Sequence, residues 1–497
     1  MENLNAQGLV KIISTGASLI YVVTDNERRT EGIVAQTAAR LKGVDLPYVW
    51  NCTEGLSRGG ATVPATVEPL RALDFALAQP GPLLFVFKDL CWFWKDGPFI
   101  ARKLKEFAVR AKSKALVILG QAEEVPEGLR EDMTILQQGL PTIEEISSFL
   151  EQLLGREPLL AKSCGENPGL MRDLIMAAQG LDLIDIERGV RALRLSPEAG
   201  GDEIVRALFE TKRLIIRKSG IMEFVVNNVS ADKVGGMENL KHWMARREKA
   251  FGIDNISAGV SMPKGVLVMG VAGCGKSLFI KAIASEWRLP LIRLDMAAVY
   301  EGTYGTPESS LRKAFKTAEA IAPCVLWIDE IEAGISSQGF KAEGGASSRV
   351  LGSFLTWMQE KRAPVFVAAT ANAIEMLPAE VLRKGRFDEI FYVGLPDVKA
   401  REEIFRIHLA RQGIGLTPFD IPLLAGSTKG FSGAEIEQAV LGAAFEALAE
   451  RRSMVQQDVM AAISRTVPLS VTMAEQIKKI EAWAFKRAVP ASGKYNP

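Results

Sequence analysis

The stretch Val266-Leu-Val-Met-Gly-Val-Ala-Gly-Cys-Gly-Lys-Ser277 decides the fold of this chain. Its first four residues are apolar and predict a buried strand, and the residues from Leu278 to Trp287 predict a helix. Between strand and helix lies the pattern Gly-x-x-x-x-Gly-Lys-Ser, which in this context is typical of phosphate-binding loops. The sequence therefore predicts a nucleotide site between a strand and a helix.

The residue types of this loop suit a triphosphate with a magnesium ion. Glycines let backbone N–H groups point at phosphate oxygens, and the helix N-terminus adds the positive end of its dipole. We expect Lys276 to neutralise the β- and γ-phosphates and the Ser277 hydroxyl to ligand Mg²⁺. A chance glycine-rich turn is the alternative, and it leaves the Lys-Ser pair unexplained. The expected ATP-binding residues of the loop are Gly270, Val271, Ala272, Gly273, Cys274, Gly275, Lys276, Ser277 and Leu278.

Two later apolar runs end in polar residues. Cys324 to Ile328 is followed by Asp329 and Glu330, and the run from Val365 leads to Asn372. Carboxylates that end a buried strand need a positive neighbour. Ligands of parallel sheets bind at the edge where the carboxyl ends of the strands meet. We expect Asp329 to hold Mg²⁺ through its waters and Glu330 to deprotonate the attacking water. Asn372 is expected to position that water.

The segment from Leu382 to Asp388 carries Arg383 and Arg386 around a glycine. By itself this pattern is also compatible with a solvated basic turn. Beside a phosphate loop it predicts arginine fingers that reach the γ-phosphate bound by an adjacent subunit. Such a finger contributes on the order of 10³–10⁵ in rate. In that case ATP binds at a subunit interface and an isolated subunit is nearly inactive.

Composition lowers the expectation of several function classes. Lys and Arg number 60 against 59 Asp and Glu, whereas a nucleic-acid binder usually shows a basic excess. The five cysteines lack metal or redox spacing, and the two histidines exclude a His-Glu-x-x-His protease motif. No signal peptide is visible, and the apolar runs are too short to cross a bilayer. We expect a cytoplasmic protein without a membrane or nucleic-acid partner, or a stromal one if it derives from a plastid.

The alternation of strands and helices occurs twice along the chain, which predicts two three-layer parallel sheets. In the first half, 18–24, 47–50, 83–87 and 115–119 are predicted strands, 55–66 an exposed loop, and 219–232 a connector. Only Lys88-Asp89 stands at the corresponding strand end there, so this half is not expected to hydrolyse ATP. The predicted domains are a degenerate AAA-like α/β domain without a phosphate loop (1–140), a helical lid-like subdomain (141–200), a helix and linker (201–232), an ATPase core (233–396), a helical lid with a C-terminal helix (397–489) and a flexible tail (490–497).

Together these residues resemble the classical clade of AAA ATPases. The resemblance covers Val234 to Lys241, the phosphate loop, the two polar strand ends, the arginine segment and Gly430-Phe-Ser-Gly-Ala434. More narrowly, Ala322 to Glu330 and Pro364 to Asn372 are similar to the hypothetical-chloroplast-reading-frame AAA proteins of plastids and bacteria. The resemblance implies a P-loop NTPase fold with a helical lid, a homo-oligomer of six subunits, and an adenine pocket near Val234 and Gly433.

The expected function is Mg²⁺-dependent ATP hydrolysis in an oligomeric ring, coupled to remodelling of a protein client. The alternative is an ATP-gated assembly or regulatory module with slow hydrolysis and no threading. Unfoldase relatives carry a pore aromatic where this chain has Thr303, which favours the alternative. Tyr304, one residue later, is the candidate pore contact, or it packs against its neighbours.

Overall fold

A computed structural model describes two compact units, Met1–Pro141 and Thr142–Pro497. Both are α/β structures built on a mainly parallel sheet, as the sequence predicts. The described residues are those outside 1–3, 25, 95–97, 112, 121–124, 168, 192–200, 219, 227–228, 252–261, 302–305, 336–345, 384, 414–416 and 494–497.

The first unit is a parallel sheet with helices on both faces. Its strands are β1 (Leu19–Val23), β2 (Tyr48–Asn51), β3 (Gly55–Arg58), β4 (Ala61–Thr62), β5 (Leu83–Lys88), β6 (Lys114–Gly120) and β7 (Thr134–Gln137). Its helices are α1 (Ala6–Ser14), α2 (Glu27–Arg40), α3 (Pro69–Ala78), α4 (Cys91–Trp94) and α5 (Pro98–Arg110). The order β7-β1-β6-β5-β2 is parallel throughout. Because successive strand residues face opposite sides, Tyr21 and Phe85 pack in one core and Val22 and Val86 in the other.

The expected loop at residues 55–66 is wrong in part, because β3 and β4 form an antiparallel hairpin beside β2. Gly59 and Gly60 both have positive φ (58° and 86°), as a tight two-residue hairpin turn requires. The Thr66 hydroxyl accepts the N–H of Leu56 at 2.9 Å and so fastens the hairpin to the following segment. The Gly-Gly pair was the sequence signal for this turn.

The second unit begins with a group of helices. These are α6 (Ile143–Leu154), α7 (Pro158–Glu166), α8 (Leu170–Ala178), α9 (Leu183–Arg191) and α10 (Gly201–Lys218). Thr142 caps α6 in a capping box with Glu145, as its position before an apolar helix suggests. Ile146, Leu174 and Leu208 pack in the shared core of this group.

The sheet of the second unit follows these helices. Its strands are β8 (Met222–Val225), β9 (Gly265–Gly270), β10 (Leu291–Leu294), β11 (Cys324–Ile328), β12 (Val365–Ala371), β13 (Glu389–Val393) and β14 (Val489–Pro490). Their order is β14-β13-β9-β12-β11-β10-β8. The expected connector at 219–232 is wrong in part, because β8 pairs antiparallel with β10 at the sheet edge. Met222 is buried in this strand, so the short run from Met222 to Val225 is a strand and not part of a linker.

Helices cover this sheet and form a separate lid. Around the sheet lie α11 (Glu238–Arg247), α12 (Lys276–Glu286), α13 (Met296–Tyr300), α14 (Pro307–Ile321), α15 (Ile331–Ile335) and α16 (Ala346–Glu360). The later helices are α17 (Val398–Arg411), α18 (Ile421–Ser427), α19 (Gly433–Ala449), α20 (Gln456–Arg465), α21 (Leu469–Thr472) and α22 (Ala474–Arg487). The lid has its own core, in which Phe405, Leu424 and Val440 are fully buried. Among the described residues, no helix has both the length and the apolar character to cross a membrane.

The last residues differ from the expected flexible tail, as far as they are described. Val489–Pro490 pairs in parallel with β13, and Ala491 is buried. The N–H of Ala491 donates to the carbonyl of Tyr392 at 2.8 Å. Backbone pairing at a sheet edge therefore orders residues that their composition alone would leave frayed. Residues 494–497 of the expected tail lie outside the described part of the chain.

Candidate nucleotide site

The phosphate loop connects buried strand β9 to helix α12. Gly270 has a φ of 144°, and a Cβ there would lie 2.0 Å from the carbonyl oxygen of Val393. Gly275 has a φ of 91° and immediately precedes α12. Only glycine adopts these positive φ values without strain and leaves room for the carbonyl of Val393. The loop therefore leaves the strand tightly and exposes backbone N–H groups at the helix N-terminus, where anions bind.

Lys276 is the first residue of α12, and its side chain folds back over the loop. Its Nζ donates to the carbonyls of Gly270 (2.9 Å) and Val271 (2.8 Å), and the residue is only 6% exposed. Burial lowers the pKa of Lys276, while the charges of nearby acids, including Asp329 and Glu330, act in the opposite direction. A desolvated ammonium in this place attracts phosphate oxygens strongly because little water screens it.

Asp329 is the centre of a small hydrogen-bond network at the end of β11. Its Oδ1 accepts from the Ser277 hydroxyl at 3.3 Å and from the Thr370 hydroxyl at 2.6 Å. Arg293 lies 3.9 Å from its other oxygen. Oxygen donors of this kind suit Mg²⁺, which is commonly held by one or two protein groups together with substrate phosphates. Ser277 and Asp329 therefore fit the predicted magnesium site.

Glu330 and Asn372 form a direct pair beside this network. The Asn372 amide nitrogen donates to Oε1 of Glu330 at 2.7 Å. Glu330 has a φ of 48°, a left-handed conformation that is uncommon for a residue with a Cβ. Its N–H donates to the Thr370 hydroxyl at 2.9 Å. Strained backbone of this kind collects at active sites, where the surroundings hold it in place.

Residues of the site that were not predicted from the sequence include Thr370, Glu332 and a third in the lid. Thr370 is 1% exposed and links the backbone of Glu330 to the carboxylate of Asp329. Glu332 is 7% exposed, and its Oε1 accepts the N–H groups of Asn372 (2.7 Å) and Ala373 (3.0 Å). A hydroxyl late in an apolar strand and an acid two residues after Glu330 were the available signals. The third residue, His408, belongs to the lid.

The lid closes one side of the site. Residues 272–278 of the loop line a cavity of about 460 Å³, together with Asp329, Glu330, Val234, His408 and Gly433. The N–H of Ala434 donates to the carbonyl of Gly273 at 2.9 Å, so the start of α19 rests on the loop. His408 lies 3.5 Å from Glu437, and burial lowers the pKa of this histidine. The structure thus brings residues 272–278 of the predicted loop, both acids, Asn372, Val234 and Gly433 to one cavity, whereas Gly270 and Val271 do not line it.

Arg383 and Arg386 do not line this cavity. Arg383 borders a different cavity of about 580 Å³, together with Trp483 and Arg487. Arg386 donates to the side chain of Gln359. In this structure neither arginine lies at the cavity of its own chain. Thr303 and Tyr304, the candidate pore position, lie outside the described residues.

Comparison with known proteins decides the family. A family model described as the ATPase family associated with various cellular activities (AAA) matches residues 266–395, and an AAA+ lid model matches 418–462. The AAA domain-containing protein ycf46 of Trieres chinensis is 34% identical over 96% of both chains. The ycf46 protein of Guillardia theta is 36% identical over 94% of this chain and 92% of its own.

The chain belongs to the AAA ATPase family. It is an ATP-hydrolysing enzyme of that family, and the predicted resemblance to plastid ycf46 proteins is confirmed. A model described as the SpoVK-like AAA ATPase, N-terminal domain, matches residues 5–138 of this AAA ATPase. The ATP-dependent zinc metalloprotease FtsH of Cupriavidus metallidurans is 37% identical, but only over 40% of this chain and 31% of its own.

Proposed function

We propose that this AAA ATPase hydrolyses ATP, with Mg²⁺, at the interfaces of a homo-oligomeric ring and uses the energy to remodel a protein client. The observation that carries the proposal is the hydrogen bond from Asn372 to Glu330 in the same cavity as Lys276 and Asp329. It supports a general base held beside a phosphate site. The adenine would lie near Val234 and Gly433, which line the same cavity.

The residues divide the chemistry between them. Lys276 and the loop N–H groups bind the β- and γ-phosphates, and Asn372 orients the carboxylate of Glu330. Water attacks the γ-phosphorus, its proton passes to Glu330, and the bond to the oxygen between the β- and γ-phosphorus breaks to release ADP. Mg²⁺ at Ser277 and Asp329 would supply charge neutralisation of the phosphates. Thr370 keeps Asp329 and Glu330 in a fixed relation through its hydroxyl.

The positions of the two arginines support action between subunits. Arg383 and Arg386 lie apart from the cavity of their own chain. A guanidinium that arrives from a neighbour would then neutralise the charge that develops on the transferred phosphoryl group. Six subunits and a protein client follow from the family resemblance and belong to the same proposal.

The first test compares ATP turnover of the parent protein with two variants. Glu330→Gln should lower kcat by about 10²–10⁴-fold while ATP still binds, because only the proton acceptor is lost. Lys276→Ala should lose both binding and turnover. Glu360→Gln, an exposed acid outside the cavity, serves as the matched control and should stay within about twofold. Equal turnover in all four proteins would refute the proposed hydrolytic site.

A mixing experiment tests the interface. The double variant Arg383→Ala with Arg386→Ala should lose about 10³-fold or more in kcat. Mixed with Lys276→Ala subunits, it should regain turnover, because intact loops then meet intact arginines. A mixture of Lys276→Ala and Glu330→Gln subunits should stay inactive, since each carries a defect in its own loop or base. Full activity of the arginine variant alone would overturn the interface.

The client is tested with the Glu330→Gln protein, which should retain ATP and hold its partner. Proteins that co-purify with this variant in ATP, and are released in ADP, are the expected clients. Stimulation of parent turnover by the same proteins would support remodelling. Turnover that is unaffected by any captured protein favours the ATP-gated assembly module instead.

A further inference from the structure

The residues Val489–Gly493, here called the edge segment, contact the backbone that walls the nucleotide cavity. Val489 and Pro490 pair with Phe391 and Tyr392 of β13. Beyond them the Ser492 hydroxyl accepts the N–H of Met237 at 2.7 Å. Met237 and Gly235 line the cavity of about 460 Å³ that also contains Lys276. The edge segment thus contacts residue Met237 of the cavity wall without lining that cavity itself.

Met237 is held in an unusual conformation. Its φ is 61° and its ψ 39°, in the left-handed region that residues with a Cβ rarely occupy. In this conformation its side chain is 5% exposed and lies against the phosphate loop, so that a Cβ on Gly275 would be 3.1 Å from Met237 Cε. The conformation of one residue therefore determines what the loop packs against.

The wall formed by residues 235–237 borders two cavities. A second cavity, of about 310 Å³, lies on its other side, and Gly235, Gly236 and Met237 line that cavity together with Pro490 to Gly493. Packing holds part of this wall, since Met237 is buried and a Cβ on Gly235 would lie 2.8 Å from Ile404. Hydrogen bonds hold its backbone N–H groups. The N–H of Gly236 donates to Glu403 at 2.8 Å, and that of Met237 donates to Ser492. A buried N–H group without such a partner is costly, so the Ser492 hydroxyl selects the observed conformation.

The edge segment is itself firmly placed, which a positioning role requires. The carbonyl of Ala491 accepts the N–H groups of Asn239 (3.0 Å) and Leu240 (3.4 Å) at the start of α11. These groups lack partners within their own helix. The Asn239 side chain donates to the carbonyls of Pro490 and Gly493, both at 3.0 Å. Ser492 is therefore held from both sides.

We infer that Ser492 is a positioning residue for nucleotide binding, which acts through Met237 on the phosphate loop. The inference rests on the proposed assignment of ATP to the larger cavity. Ser492 sets the affinity for ATP, because it fixes the wall and the support of Gly275. It has little influence on kcat, because Glu330, Asn372 and Thr370 lie on other elements.

Nucleotide affinity and turnover together test this assignment in the full-length protein. Ser492→Ala should raise the Kd for ATP and the KM by about 3- to 10-fold, as expected for one lost hydrogen bond, with kcat within twofold. Ser492→Thr keeps the hydroxyl and should restore the parent affinity. Ser464→Ala is the matched control, because it removes a lid hydroxyl that donates to the nearby Ala461 carbonyl.

A background variant tests the route through Met237. Glycine adopts the left-handed conformation without strain, so in Met237→Gly the further loss from Ser492→Ala should fall below twofold. The inference would be overturned if Ser492→Ala bound ATP as tightly as the parent, or if its kcat fell as much as its affinity. It would also be overturned if Ser492→Ala lost as much ATP affinity in the Met237→Gly background as in the parent. If the parent itself fails to bind ATP, or Lys276→Ala binds as well as the parent, the proposed function fails with it.

Discussion

The two α/β units have sheets with the same strand order but very different side chains at the same edge. In the first unit the parallel strands run β7-β1-β6-β5-β2, and in the second they run β13-β9-β12-β11-β10. Numbered along the chain, both orders are fifth, first, fourth, third, second. Even the bend after the third strand recurs, with φ values of 53° at Asp89 and 48° at Glu330. The shared topology provides the same edge twice.

Charge separates the two edges. In the second unit Lys276 follows the first strand, and acids follow the third. In the first unit Lys88 ends the third strand and is paired with Glu27 and Glu31 on the helix after the first strand. In the first unit the carboxylates of Glu27 and Glu31 therefore lie on the helix after the first strand, where the second unit has Lys276. A phosphate bound at that position would lie beside negative charges. Strand order therefore provides a ligand position, whereas the side chains determine whether a phosphate can occupy it.

The largest expected effect is on ATP affinity, which should depend on the lysine of the second unit and not on that of the first. Lys276→Ala should weaken ATP binding to the full chain by at least about 100-fold, because no second phosphate site is expected in the first unit. Lys88→Ala, at the corresponding edge, should change the Kd by less than twofold. Isothermal titration with Mg²⁺ and ATP measures both affinity and stoichiometry. Residual binding with an unchanged Kd in Lys276→Ala would place a nucleotide in the first unit and break the comparison.

A smaller effect concerns the fourth strand. The Glu330 N–H donates to the Thr370 hydroxyl, whereas the Asp89 N–H donates to the backbone carbonyl of Leu119 at 2.9 Å. Thr370→Val removes the hydroxyl that also reaches Asp329, and kcat should fall by about 10- to 100-fold, as expected for a buried hydrogen bond to a charged group.

The matched control for Thr370 lies in the first unit. Thr30 is also fully buried, and its hydroxyl donates to Thr24 at 2.9 Å. Thr30→Val should leave turnover within twofold, although it removes an equally buried hydroxyl. Similar losses of kcat in both variants would show that Thr370 contributes general stability and not alignment of the acids.

The parts of the site that local spacing predicted are contiguous in the chain, whereas Asn372 was predicted as a polar strand end and Val234 and Gly433 from the family resemblance. The loop from Gly270 to Ser277 and the acid pair after β11 are contiguous, so their geometry follows from a strand and a turn. Thr370 and Glu332 depend on contacts across some 40 residues of sequence, between neighbouring strands. The sequence around Thr370 does not indicate which groups its hydroxyl contacts. Those roles therefore became visible only with the register of β11 and β12.

The parts of the fold that were missed lie at the sheet edges. The hairpin of β3 and β4, the antiparallel strand β8 and the edge segment are short, and each gains its order from a neighbouring strand. Short segments have weak periodicity, and tertiary pairing decides their state. The central strands were predicted because they are long, apolar runs that are buried on both faces.

The smallest expected effect compares two lysines, one in each unit. Lys88 is partly buried and paired; burial lowers its pKa, but the hydrogen bond and charge of Glu31, with Glu27, raise it overall. Lys212 on α10 is fully buried, and its Nζ has no hydrogen-bond partner within the described residues. Burial lowers the pKa of Lys212 to about 7, against a small opposing influence of Cys324.

Substitution by methionine should therefore change stability in opposite directions. Lys212→Met should raise the free energy of unfolding by about 1–2 kcal/mol near pH 7, since an unpaired buried amine is replaced by an apolar chain. The unfolded chain keeps this proton up to the ordinary lysine range, so the parent gains stability as pH rises from 7 towards 10, and the advantage of the variant shrinks. Lys88→Met should cost about 0.2–1 kcal/mol, because its ion pairs are partly exposed. Denaturation midpoints across pH 7 to 10 measure both; a destabilised Lys212→Met with no pH trend would mean that the amine has a partner, and the contrast between the two units would then rest on their strand ends alone.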